Sequence, residues 1–94
     1  MNKINDNKVE NSDLQMPLTR LRAGQKGKII NINGGCGLIN KLESLGIIKN
    51  RELKKISDQW MKGPILLQHG HSQIALGFQM ASKIIVQVTG DNTK

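Results

Sequence analysis

The sequence predicts a small, mainly β domain, with five short strands bent into a barrel, one short α-helix and an additional helical turn. Three observations carry this expectation. Short apolar stretches alternate with period two, glycine-marked turns separate them at close intervals, and one segment switches to helical spacing. A chain of 94 residues can bury only a thin core, and closing a sheet on itself leaves few exposed edges.

The elements follow in order. Residues 1–15, MNKINDNKVENSDLQ, are rich in Asn and charge without apolar periodicity, and read as a disordered N-terminal tail. The folded domain is expected over residues 16–90, with 91–94 as a short C-terminal tail. LRAGQKG supplies a glycine-bounded turn, and KIINI reads as a strand with Ile30 and Ile32 on one face. In the next segment Leu38, Leu42 and Leu45 recur at i, i+4 and i+7, one stripe of a helix about ten residues long. Gly46 stands where a left-handed C-terminal cap is expected. RELKKIS is then a strand, DQWMKGP a hairpin connection, ILLQ a strand and HGHS a turn. QIAL is a strand with Ile74 and Leu76 in phase, GFQMASK makes one helical turn, and IIVQV closes the domain with Ile84, Val86 and Val88 on one face.

Composition narrows the function classes. The net charge is +7, and the N-terminal tail does not supply it, because Lys3 and Lys8 there meet Asp6, Glu10 and Asp13. The positive charge gathers in two groups, Arg20, Arg22, Lys26 and Lys28, then Lys49, Arg51, Lys54 and Lys55. This balance suits an acidic partner, nucleic acid or an anionic membrane surface. With one Trp, one Phe and no Tyr, the chain lacks an aromatic platform for single-stranded nucleic acid. The lone Cys36 excludes an internal disulfide, and the sequence offers no apolar run of membrane-spanning length and no signal-peptide pattern. A cytoplasmic protein is the expectation.

The glycine-rich stretch NGGCGLIN raises the question of phosphate binding. A P-loop requires a Gly-Lys pair at a fixed offset, and none follows Gly34 or Gly35. The dinucleotide fingerprint starts at Gly35 and Gly37 but meets Asn40 where its third glycine belongs. These glycines are therefore read as a structural turn, giving positive φ angles between strand and helix. No paired carboxylates and no nucleophile with a base at motif spacing indicate catalysis, so the chain is read as non-enzymatic.

Taken together, LxxLxxGQKGKI at 18–29, KLxxLGI at 41–47, GPI at 63–65 and IALGxxxAxKIxV at 74–86 resemble the FeoA family of ferrous iron transport proteins. The resemblance spans residues 16–88 and implies an SH3-like β-barrel, the same barrel found at the C-terminus of metal-dependent repressors of the DtxR type. It also implies an accessory role in bacterial ferrous iron uptake, through binding of the cytoplasmic GTPase region of the membrane transporter FeoB. The sequence departs from the family pattern at three positions. Asn50 replaces a usual Gly but tolerates the left-handed conformation. Lys55, with Ile56 after it, suggests a bulge or phase shift. Phe78 replaces a usual basic residue.

For partner binding the helix and its following turn are the expected surface, through Lys41, Leu42, Leu45, Ile47, Lys49 and Arg51, with Trp60 in the hairpin as a second anchor. The competing reading of Leu42, Leu45 and Trp60 is packing within the domain. No cofactor is expected. His69, His71 and Cys36 are the soft metal ligands of the chain, but two histidines flanking Gly70 belong at a hairpin tip facing solvent. Two further readings stay open: a small basic nucleic-acid-binding barrel or detached regulatory domain, which the missing aromatics weaken, and self-association through spare apolar surface.

Overall fold

The computed structural model describes residues 14–57 and 62–91. Six strands form one antiparallel sheet: β1 (Gln15–Pro17), β2 (Gln25–Ile32), β3 (Glu52–Ser57), β4 (Ile65–His69), β5 (Ser72–Leu76) and β6 (Ile84–Asp91). Helix α1 (Cys36–Ser44) lies between β2 and β3, and the single turn α2 (Phe78–Ala81) lies between β5 and β6. A 3-10 turn, Leu18–Arg20, follows β1. Of the tail expected over residues 1–15, residues 1–13 lie outside the described residues, as does most of the DQWMKGP connection with Trp60, whereas Gln15 is not tail but the first residue of β1.

The expected strands are present in the expected order, but the count and closure differ. β1 is a sixth strand, paired with β6 through Gln15–Gln87, Met16–Val86 and Pro17–Ile85. The sheet order is β1-β6-β2-β3-β4-β5, so among the described residues the sheet is open, with β1 and β5 as its edges. Helical cover takes the place of strand closure. The 3-10 turn leaves the end of β1, α2 leaves the end of β5, and the two turns contact each other. Leu18 from one and Ala81 from the other are both fully buried. Pro17 has no N–H to offer a further strand, which suits its place at an edge.

One core holds the sheet and helix together: Leu18, Leu21, Ile29, Ile32, Leu42, Ile47, Leu53, Ile65, Leu67, Leu76, Ala81, Ile84 and Val86. Ile84 and Val86 face inward as the period-two reading requires, with Val88 packed partly against the core. In β2 the phase is different from the expectation. Ile29 and Ile32 are buried whereas Ile30 is half-exposed, because a register shift between Ile29 and Asn31 slips the alternation by one residue. Gly27 faces inward on the same strand, and a Cβ there would stand 3.0 Å from the Val86 side chain. This is a close approach that only glycine makes comfortably.

β3 carries the bulge expected near Lys55, a register shift between Lys55 and Ser57. The shift comes after Lys55 and not before it. Lys55 itself therefore stays in phase with Leu53 and is buried, 1% exposed. Its Nζ donates to Thr19 O at 3.2 Å and to Leu21 O. An ammonium taken from water needs such acceptors, and the main chain around the 3-10 turn supplies them.

Candidate partner-binding surface

Helix α1 begins at the glycine-rich stretch. Gly34, Gly35 and Gly37 do not have the positive φ angles expected of them; those belong to Gly24, Gly46 and Gly70. At Gly34 the requirement is space, since a Cβ would collide with Leu38 Cδ2. The amides entering the turn are spent inside the protein: Asn33 N donates to Lys83 O at 2.7 Å and Gly34 N to Ile32 O at 3.1 Å. The stretch directs the chain from β2 into α1.

The C-terminal end of α1 forms a Schellman motif. Gly46 has φ +87°, its N–H donates to Glu43 O at 2.9 Å, and Ile47 N donates to Leu42 O at 2.9 Å. Leu42 and Ile47, the two residues joined by that second bond, are both fully buried and supply the apolar contact that accompanies the motif. Arg51 Nη1 donates to Gly46 O at 3.3 Å, which secures the turn from outside. Asn50 has φ 73°, the left-handed conformation expected of it, and its N–H donates to Ile29 O at 2.7 Å as the chain rejoins the sheet.

This geometry sorts the candidate surface. Leu42 and Ile47 have no accessible side chain, so they support the surface from beneath and cannot contact a partner. Arg51 is half-buried against the turn. Lys41 and Lys49 are exposed, and Leu45 is 38% exposed. Leu45 leaves the expected stripe because α1 ends at Ser44, which makes Leu45 the C-cap with φ −96° and ψ 2°. Lys41 and Leu45, four residues apart, share one face.

A second feature escaped the periodicity. Between α1 and the end of β2 lies a predominantly apolar groove of about 220 Å3 lined by Asn31, Ile32, Ile39, Glu43, Ile48 and Lys49. Ile39 sits one residue off the leucine stripe. Ile48 follows Ile47 directly, and of two adjacent isoleucines leaving a helix cap, one turns inward and the other stays at the surface. That pairing was the available signal.

The three soft ligands stay apart in role. Cys36 is an exposed thiol at the first residue of α1, and His71 is exposed at the β4–β5 tip, where Gly70 has φ +60°. His69 does not face solvent freely as expected at a hairpin tip. It is half-buried, with its ring against the Gly46 turn: a Cβ on Gly46 would stand 2.7 Å from His69 Nε2. Among the described residues, no three His, Cys, Asp or Glu side chains converge as a metal site, and no helix is long and apolar enough to cross a membrane.

An antiparallel sheet with one helix joining the neighbouring strands β2 and β3, and helical turns covering its open side, defines a small SH3-like β module. A family model described as the FeoA domain matches residues 16–88, and the chain belongs to the FeoA family. It is similar to the Fe(2+) transport protein A assigned in Methanocaldococcus jannaschii, 35% identical over 81 residues that cover 83% of this chain and 96% of the relative. Its fold resembles the crystal structure of an iron uptake regulatory protein, FeoA, with TM-score 0.76 and 28% identity over 81% of this chain and 100% of the other. A manganese-dependent transcriptional repressor shares the fold, with TM-score 0.74 and 20% identity over 82% of this chain but only 43% of the repressor.

Proposed function

We propose that the chain is a non-enzymatic accessory protein of ferrous iron uptake that binds the cytoplasmic GTPase region of the membrane iron transporter and modulates transport. Family membership supports the pathway. The observation that supports the mode of action is the exposed Leu45 at the cap of α1. A large apolar side chain held in place by a rigid motif suits a contact residue, because little ordering cost remains when a partner covers it. Exposed Lys41 and Lys49 lie on the same helix-and-turn segment and would steer the domain toward an acidic surface of the transporter or the anionic inner leaflet beside it.

The test is an amide NMR titration of labelled protein with the transporter's soluble cytoplasmic region at near-physiological salt. Shifts confined to residues 38–51 are expected. Leu45→Asp weakens the interaction by about tenfold while leaving stability within about 0.5 kcal/mol, the usual range for a surface substitution. Shifts confined to another face would remove α1 from the interface, and silence at saturating partner would remove the soluble region as the target.

A further inference from the structure

On the sheet face opposite the core, β2 and β3 pair Lys26 with Lys54 and Lys28 with Glu52 in direct register. The second rung is complementary. The first sets two lysines directly opposite each other, and like charges so placed cost stability in an antiparallel pair. On the next strand Gln68 of β4 stands opposite Lys54, so Lys26, Lys54 and Gln68 form one row across three strands. The row opens into a recess of about 290 Å3, whose walls include Glu52, His69 and Gly70. Both lysines are half-buried. Beside Lys26, a register shift between Lys26 and Gly27 interrupts the pairing of β2 with β6. Bulges of this kind re-aim side chains next to binding sites.

We propose that this recess is a binding site for a phosphate-type dianion, held between Lys26 and Lys54. This inference does not rest on the partner-binding proposal, because its lysines lie on β2 and β3 and it uses none of the α1 residues. Charge accounting supports it. Lys28 stands across from Glu52, whose Oε2 also accepts a hydrogen bond from Thr89 Oγ1 at 2.5 Å. That leaves Lys26 and Lys54 without a carboxylate counterpart on their own rung. Set against the single Glu52 carboxylate in the wall, the two lysines leave the recess net positive, which suits an anion such as a phosphate monoester or inorganic phosphate. A bound dianion would convert the unfavourable lysine pair into two charge-assisted hydrogen bonds. Gln68 donates its amide to Gly70 O at 3.2 Å, which shapes the wall of the recess and leaves the donors facing the anion to the two lysines.

Inorganic phosphate is the probe, added to the full labelled chain at constant ionic strength against a chloride control. Saturable amide shifts are expected at Lys26, Glu52–Lys54 and Gln68–Gly70. Lys54→Gln lowers phosphate affinity by about tenfold, the loss of one charge-assisted contact. The same variant, kept in chloride, melts no lower than the parent, because it relieves the opposed charges. A residue with a merely structural role would not give both results. Shifts that never saturate, that spread over Arg20 and Lys41 as well, or that persist in Lys54→Gln would overturn the site. Vesicles of phosphatidylcholine with and without phosphatidic acid identify the source of the phosphate. Binding to the phosphatidic acid vesicles that inorganic phosphate competes away assigns a lipid headgroup. Binding of soluble phosphate with no response to either vesicle assigns a free or small-molecule phosphate.

Discussion

Replacing Lys55 with alanine is expected to cost about 3 kcal/mol of folding stability, the sum of a core cavity and of carbonyl groups left without their donor. For a domain of this size that corresponds to a fall in Tm of roughly 12–24 °C. The side chain is 1% exposed, and its ammonium reaches back to carbonyls of Thr19 and Leu21 on either side of Arg20. Those carbonyls belong to the turn that helps cover the open side of the sheet, so the loss falls on the closure of the fold and not on one strand. Lys55→Met separates the two contributions. Methionine restores most of the stem volume but gives the carbonyls nothing, and should lose about 1–2 kcal/mol. Thermal and urea unfolding of the three proteins, followed by circular dichroism, measures both. A Met variant more stable than the parent would mean that burying the ammonium costs more than its hydrogen bonds return. An Ala variant within about 0.5 kcal/mol of the parent would show that the site relaxes around the missing side chain.

Lys55 also shows where sequence reasoning stops. Its substitution for an apolar residue was visible, and so was the disturbance of strand phase nearby. Its burial was not, because the acceptors that make burial tolerable lie 36 and 34 residues earlier in the chain. The same division runs through the fold. The cap at Gly46 and the left-handed Asn50 are set by local chemistry and were legible from neighbouring residues. The identity of the inward isoleucines in β2 was not, since the bulge beyond Ile29 answers to the pairing with β6 and not to the KIINI alternation itself. β1 was missed because three residues, one of them proline, carry no readable period. It is a strand only through its pairing with β6 at the far end of the sequence. Within the candidate surface, helical phase could place Lys41, but not Leu45, which leaves the stripe as α1 ends at Ser44, nor Lys49, which lies beyond the Gly46 cap. For Leu42 the sequence left core packing and partner contact both open, and the Schellman motif turns it and Ile47 inward. Ile39 emerged only from the groove between helix and sheet, whereas the adjacent Ile47 and Ile48 had offered a signal for Ile48. The recess over Lys26 and Lys54 depends on cross-strand register, which one strand's sequence does not contain.

The cap at Gly46 is where local and tertiary demands meet, and Gly46→Ala separates them. Alanine at φ +87° carries the strain of a left-handed L-residue, about 1 kcal/mol. Its Cβ would also stand 2.7 Å from His69 Nε2 and 3.0 Å from Cε1, closer than van der Waals contact allows. Either the half-buried ring moves or the turn opens, and an opened turn draws Ile47 away from Leu42 in the core. The combined loss is expected at about 2–3 kcal/mol. Removing the ring isolates the second part. In the His69→Ala background the same Gly46→Ala change should cost only about 1 kcal/mol, so a double-mutant cycle returns a coupling of about 1–2 kcal/mol between residues 23 positions apart. A coupling near zero would mean that the ring swings clear freely and that the helix cap is an independent local unit. A coupling of the expected size ties the β4–β5 hairpin to the cap of α1. The exposure of Leu45 then depends on how His69 packs, and substitutions at His69 should alter partner binding without touching the partner.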